Sequence, residues 1–238
     1  MRRRFFLFAC SFSALRGFQA KKPQPKPEPL WKWLLRVTGI SATSRGLKGS
    51  LVTPAGDIWI MASDGKDKTQ KRLTFDGEYH SPVFTPDDRQ VLALRGEALV
   101  WVSPESGASR TLDYKLEGVV KLIAFQSHFE KQADSERPRV VAITKTSIGL
   151  FSPWDGKFEP FPVAESDEET RQELLRGQMQ VGDLLVQVGA TGHELTLQKD
   201  GGEQVVLASS AKVIYAEPAL SHDGRRVVFV RAALGTTN

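Results

Sequence analysis

An all-β domain is the fold class that this 238-residue sequence predicts, and three observations predict it. From residue 49 onward, short apolar runs rich in Val, Ile, Leu and aromatic residues alternate with turn-forming residues. Asp-Gly occurs five times, at 64–65, 76–77, 155–156, 200–201 and 223–224, and this dipeptide suits tight hairpins because both positions tolerate positive φ. Only one stretch, 168–177, reads as helical, with Asp167 as capping carboxylate, Leu174 and Leu175 as apolar positions and Gly177 as the stop.

The chain begins differently. Residues 1–20 open on Arg2, Arg3 and Arg4, followed by the apolar run 5–15, interrupted only by Ser11 and Ser13. A basic start before so short an apolar run has the form of an export signal, whereas a membrane-spanning helix needs about 20 apolar residues. The run from Arg2 to Leu7 also resembles the bacterial twin-arginine signal. Cys10 sits in a loose lipoprotein-like box, so lipid anchoring there is a secondary expectation to plain export into the periplasm or cell envelope. As the single cysteine, Cys10 excludes an internal disulfide and a multi-cysteine zinc site. Residues 21–48 form a Pro/Lys-rich linker, with Pro23, Pro25, Pro27 and Pro29 alternating with polar residues. That alternation favours extended polyproline II, a semi-rigid spacer. An aromatic cluster, Trp31 and Trp33 with Leu34 and Leu35, follows the prolines and is expected to pack on the domain that follows or to form one turn of helix.

Charge separates these regions. The chain carries 32 Lys and Arg against 28 Asp and Glu, net +4. Residues 1–48 hold eleven of the basic residues and one acid, Glu28, so residues 49–238 carry −6. A phosphate-binding domain needs a concentrated basic face, and this body has none in sequence, which excludes nucleic acid as a partner class. Contact with a membrane is expected only through the N-terminal segment.

Within the body, strands are expected at 57–61, 91–94, 98–102, 121–125, 140–144, 148–151, 184–188, 194–198, 204–207 and 226–230. Two stretches repeat: residues 81–93 (SPVFTPDDRQVLA) align with residues 217–229 (EPALSHDGRRVVF). Ahead of the first stand residues 56–61 (GDIWIM), then Ser63-Asp64-Gly65 and residues 71–74 (KRLT). This pattern resembles the PD40, or TolB-like, variety of WD40-like β-propeller repeat. The matching positions are Pro82, Phe84, Pro86, Asp87, Val91, Ile58, Trp59, Met61, Asp64, Gly65, Leu73 and Thr74, and in the second copy Pro218, Ser221, Asp223, Gly224, Val227 and Phe229. The chain departs from the pattern at Asp88, where glycine is usual, at Ala93 for phenylalanine and at His222 for proline.

The resemblance implies a small β-propeller, four to five blades and possible as an incomplete ring, over residues 49–238. Pro82 and Pro218 lie 136 residues apart, three steps of roughly 45, the length of a four-stranded blade. The body opens on the inner-to-outer half of a blade (57–74) and closes on the opposite half (215–231), so the two ends together make one shared blade. Blades at 75–112, 113–163 and 164–212 complete the set, while 47–53 is a further candidate strand.

No catalytic chemistry stands out. A Gly-x-Ser-x-Gly elbow is absent. His80, His128, His193 and His222 are dispersed, with His80 and His222 expected in turns. Residues 189–192 (GATG) lack the lysine of a phosphate loop, and the acids at 165–169 lack calcium-loop spacing. Asp87 and Asp223 are expected to be turn formers that accept backbone hydrogen bonds. The expectation is therefore an exported, non-catalytic scaffold with no cofactor and no metal. It would bind a protein or peptide, an envelope lipoprotein among the candidates, through loops at one mouth of the ring whose residues the sequence leaves unknown. The alternative is a propeller hydrolase or sugar-binding domain with acids facing a central channel. Raised carboxylates paired in the channel would mark the enzyme, and an apolar, aromatic-lined mouth of the ring would mark the binder.

Overall fold

The computed structural model describes residues 40–41, 55–66, 69–85, 87–124, 139–161 and 178–234. The expected helix at 168–177, the strand at 47–53, the leader, Cys10, the linker prolines, the Trp31/Trp33 cluster and His128 lie outside these residues. The described residues are all-β and fall into four antiparallel sheets, arranged as four blades of a propeller.

Three blades follow the chain from inner to outer strand. The first contains β4 (Tyr79–Phe84), β5 (Val91–Arg95), β6 (Ala98–Val102) and β7 (Ser109–Lys115). The second contains β8 (Val119–Ala124), β9 (Val140–Thr144), β10 (Ile148–Phe151) and β11 (Phe158–Pro160). In the third, β12 (Gln178–Val181), β13 (Leu184–Val188), β14 (Glu194–Lys199) and β15 (Gln204–Ser209) gain an extra inner strand, β1 (Ile40–Ser41). Two residues of the linker thus pair with Met179 and Gln178. The fourth blade joins the ends of the body, in the order β16 (Val213–Leu220), β17 (Arg226–Ala233), β2 (Asp57–Ala62) and β3 (Lys71–Arg72). The shared blade expected from the sequence is therefore present, and the blades number four. The expected first-blade limit at residue 112 cuts through β7, which runs to Lys115.

The central strands of the first and second blades are buried on both faces because neighbouring blades sandwich them, whereas β13 of the third buries only Val186 fully. All five residues of β9 are buried, as are Val91–Leu94 of β5. Such strands read as unbroken apolar runs, which is why they are visible in sequence. The outer strand β7 carries little signal, since it buries Leu112 alone among seven residues.

The inner strands β4 and β16 each contain a proline, Pro82 or Pro218, which argues against a regular strand in sequence. Proline lacks an N–H and is confined to edges and bulges. Both prolines sit at a bulge. Ser81 and Pro82 together oppose Ala93, and Glu217 and Pro218 together oppose Phe229. Ser81 and Glu217 adopt φ of 50° and 47°, a left-handed conformation that costs a non-glycine residue about 1–2 kcal/mol.

The Asp-Gly turns divide by type. Only Asp200-Gly201 has positive φ at both positions. At 64–65, 155–156 and 223–224 only the glycine is left-handed, and the aspartate Oδ1 accepts the N–H two residues on, from Lys66, Lys157 and Arg225. Asp76-Gly77 is not in a hairpin; it links β3 to β4, and Gly77 N–H donates to Asp57 Oδ1 at 3.0 Å. The two-residue hairpins are Gly96-Glu97 and Gly182-Asp183, with glycine first.

Contacts between blades run through the inner strands: β4 touches β16 and β8, and β16 touches β12 and β13. One apolar cluster draws on all four blades, including Leu92, Phe151, Val186 and Phe229. A second, around Ile58, Phe84, Val91 and Val228, fills the junction of the first and fourth blades.

Close strand approach makes Gly149 indispensable. A Cβ there would fall on the Glu159 carbonyl oxygen and lie 2.8 Å from Pro160 Cα, both of the paired strand β11. We expect Gly149→Ala to destabilise the fold by about 1–3 kcal/mol, read as a lower urea midpoint. Gly77→Ala, with open space around the new methyl, should cost only the left-handed strain of about 1 kcal/mol.

Candidate functional site

Two places concentrate chemistry: the centre of the ring, where inner strands converge, and the outer surface between the first and second blades.

At the centre, the bulge in β4 presents Ser81 to the bulge in β16. The Ser81 N–H donates to Glu217 Oε2, and Ser81 Oγ donates to Glu217 Oε1 at 3.1 Å. Each residue is held in a left-handed backbone by the bulge, so the two distorted positions clamp one another. From the second blade, β8 brings Lys121, which keeps partial solvent exposure. Burial pulls the Lys121 ammonium pKa down from its ordinary value of 10.5, and the Glu217 charge opposes that shift. The centre thus sets the Glu217 carboxylate within electrostatic reach of the Lys121 ammonium.

Where the first and fourth blades meet, the two repeat copies form the same turn twice. Thr85 Oγ1 donates to Asp87 Oδ1 at 2.6 Å, and Ser221 Oγ donates to Asp223 Oδ1 at 2.6 Å. Arg89 N–H and Arg225 N–H donate to those same carboxylates at 3.2 and 3.0 Å. Burial raises both carboxyl pKa values, but the hydroxyl and N–H donors and the neighbouring arginines outweigh it and leave Asp87 and Asp223 below the usual range. Both aspartates are turn formers, as expected.

Asp88 explains the departure from glycine. It adopts φ of 57°, matching Gly224 at 70° in the other copy. Its carboxylate reaches across the junction: Oδ1 accepts His222 N–H at 2.7 Å and lies 3.1 Å from His222 Nδ1, and Oδ2 accepts Asp223 N–H at 2.9 Å. Arg226 adds a bond from Nη2 to the Asp88 carbonyl at 2.7 Å and lies over the Phe84 ring. A glycine in one copy is exchanged for an acid that caps the turn of the other.

The histidines do not converge. His222 lies in its turn as expected, but His80 lies in strand β4, with Nε2 3.1 Å from the Gly96 carbonyl. His193 Nδ1 is 2.8 Å from the Val213 carbonyl. Among the described residues no group of three His, Cys, Asp or Glu could hold a metal ion, and no helix is long and apolar enough to cross a membrane.

On the outer surface, Trp154 in the turn between β10 and β11 is 41% exposed and Tyr114 on β7 is 38% exposed. Both are held firmly. Trp154 packs against the buried Trp101 at 5.1 Å between ring centroids, and Tyr114 Oη donates to the Trp154 carbonyl at 3.2 Å. The Tyr114 ring lies directly on Gly156, where a Cβ would approach its Cγ to 2.6 Å. The absence of a side chain at Gly156 seats the ring. Phe75 is more exposed, at 70%, with the Arg72 guanidinium over one face of its ring, 4.7 Å from the centroid. The sequence hinted at half of this ledge, because the turn 152–156 (SPWDG) echoes the repeat; nothing marked Tyr114.

No protein-family model matches the chain, and no curated protein matches it. Among solved structures, it is similar to a protein of Agrobacterium tumefaciens assigned as TolB, at 13% identity and a TM-score of 0.33, over 75% of this chain and 62% of that one. It is similar to TolB from Acinetobacter baumannii at 12% identity and a TM-score of 0.24, over 85% and 68%. The Cps50 (Swd1) β-propeller domain of Myceliophteria thermophila matches at 13% identity and a TM-score of 0.22, over 77% and 64%. The chain thus spans less than two thirds of the Agrobacterium protein's length. The propeller assignment rests on the four sheets themselves.

Two outcomes follow for the polar groups. Asp88→Gly restores the repeat's glycine and relieves the left-handed strain, yet it leaves His222 and Asp223 N–H groups without their acceptor. We expect a net loss of about 1–3 kcal/mol in urea unfolding; a gain in stability would show that the cross-blade cap carries no weight. For Lys121, the lowered native pKa means that the unfolded chain binds more protons between that value and about 10.5, so this group's contribution to stability rises with pH across that window. Subtracting the stability of Lys121→Met from that of wild type should give a difference that climbs in wild type's favour as pH rises towards about 10.5.

Proposed function

We propose that this chain is an exported, non-catalytic β-propeller scaffold that binds a protein or peptide partner in the bacterial cell envelope, through the Trp154/Tyr114 ledge. The observation that carries the reading is that two aromatic side chains are both exposed and immobilised. A free surface tryptophan loses side-chain entropy on binding, whereas Trp154 is already seated on Trp101 and Tyr114 on Gly156. Rigid Trp and Tyr supply large contact area at low entropic cost and dominate measured interface energies. The basic leader with its short apolar run supports export, as in the sequence reading. Between the inner strands, Glu217 is engaged by Ser81 and electrostatically by Lys121, an arrangement suited to holding those strands together.

The test is affinity capture from a detergent-solubilised envelope extract with the full chain as bait. Wild type should retain a saturable partner. Trp154→Ala and Tyr114→Ala should each weaken its retention at least tenfold, about 1.4 kcal/mol or more, while circular dichroism shows an unchanged fold. Equal retention by folded variants would place the partner elsewhere.

A further inference from the structure

We propose that Asp200-Gly201, at the tip of the hairpin joining β14 to β15, is a site of covalent self-modification, where the aspartate closes to a succinimide and reopens as isoaspartate.

The chemistry belongs to the dipeptide. The glycine backbone nitrogen attacks the aspartate Cγ, and the N–H proton and the carboxyl hydroxyl leave together as water. Water then opens the ring by breaking one of two bonds. Cleaving the Cγ–N bond restores aspartate. Cleaving the bond from the aspartate main-chain carbonyl carbon to the same nitrogen routes the backbone through Cβ and yields isoaspartate. Glycine favours the attack because no side chain shields its nitrogen. The reaction therefore needs a carboxyl and a glycine N–H that are both exposed and released from other partners.

The sequence offers this dipeptide five times, and the fold withdraws it at four. At 223–224, Gly224 is buried and its N–H donates to the Ser221 carbonyl at 2.9 Å, while the Asp223 carboxylate accepts from Ser221 Oγ and Arg225 N–H. At 155–156, Gly156 N–H donates to the Ser152 carbonyl at 2.9 Å, and the Tyr114 ring lies on the glycine. At 76–77, Gly77 N–H donates to Asp57 Oδ1 at 3.0 Å, and Asp76 pairs with Arg95 at 3.3 Å. At 64–65, Asp64 Oδ1 accepts Lys66 N–H at 3.0 Å, and a Cβ on Gly65 would stand 2.6 Å from Val205 Cγ1.

Asp200-Gly201 differs on every count. Both residues are exposed, and a Cβ on Gly201 would meet nothing within 4 Å. Among the described residues, no hydrogen bond or ion pair engages the Asp200 carboxylate or the Gly201 N–H. The turn is held only from its flanks, by Gly202 N–H to the Lys199 carbonyl at 2.8 Å, Asp200 N–H to the Asp183 carbonyl at 2.9 Å and Gln198 Nε2 to the Gly202 carbonyl at 2.8 Å. Exposed bonds at a hairpin tip open locally while the sheet stays folded. Opening also releases Asp200 from its left-handed φ of 51°, a conformation unfavourable for a residue with a Cβ. The product adds one methylene to the main chain and keeps one carboxylate, so it alters the turn without altering the charge.

The test is ageing of the full chain in warm neutral buffer beside the same chain in concentrated guanidinium chloride. Digestion and electron-based fragmentation mass spectrometry then distinguish isoaspartate from aspartate at each site. Unfolding strips every turn away, so the five pairs should react there at comparable rates. In the folded chain, isoaspartate should accumulate at 200 ahead of the other four, which fall below their unfolded rates. Asp200→Asn should quicken the reaction at this position, because ammonia then leaves in place of water, and Asp200→Glu should abolish it, because the ring to be closed is larger. Isoaspartate led by any other pair in the folded chain, none at 200, or the same distribution folded and unfolded would overturn the proposal; the wild-type comparison decides this even where a variant fails to fold.

Discussion

Everything in this fold depends on the pairing of β17 with β2, a ladder of six consecutive residue pairs from Arg226↔Ala62 to Arg231↔Asp57. These strands lie about 170 residues apart in sequence, so the chain must close a very long loop before the first of those hydrogen bonds forms. The logarithmic dependence of closure entropy on length makes this affordable, because doubling a loop adds only about 0.6 kcal/mol. Once formed, the ladder turns two chain-terminal half-blades into one complete sheet and covers the edges each half would expose. Isolated β2 and β3 would form no stable sheet, since β3 contributes only two residues.

The junction beside that ladder shows how polar groups hold blades in register. Apolar packing of Ile58, Phe84, Val91 and Val228 is non-directional and supplies adhesion. Direction comes from Asp88 capping the 222–223 turn, from Ser81 clamped to Glu217, and from the Gly56–Tyr79 bridge with bonds of 3.0 and 2.8 Å. The unusual backbone conformations at Ser81, Asp88 and Glu217 fall at these contacts. Strained positions persist where surroundings over-determine them, and here the surroundings are the opposite copy of the same repeat.

How much of this was legible follows from burial. Strands β2, β5, β6, β9 and β17 were readable because blades on both sides bury their central strands, leaving runs such as Val91–Leu94. The outer strand β7 was not, since it needs only Leu112 inside, whereas the outer strand β15 was expected at 204–207. Inner strands were hidden by Pro82 and Pro218, residues that argue against a strand until the bulge that accommodates them is seen. The central cluster was half legible: Ser81 and Glu217 occupy the same repeat position, immediately before proline. Lys121 had no such marker, because the second blade has lost the repeat.

By itself, the sequence determined the all-β class, the turn chemistry of Asp87 and Asp223, the separation of a basic leader and linker from an acidic body, and the sharing of one blade by the two ends. Each of these is written in local residue spacing or in a repeat. Only the tertiary structure decided that the blades number four, that Ile40–Ser41 adds a strand to the third, and that Asp88 serves the turn 134 residues away. It alone brought Tyr114 and Trp154 together, 40 residues apart, into one exposed ledge. The reason is physical: radial packing of blades places side chains from distant segments side by side, and no local pattern records which faces will meet.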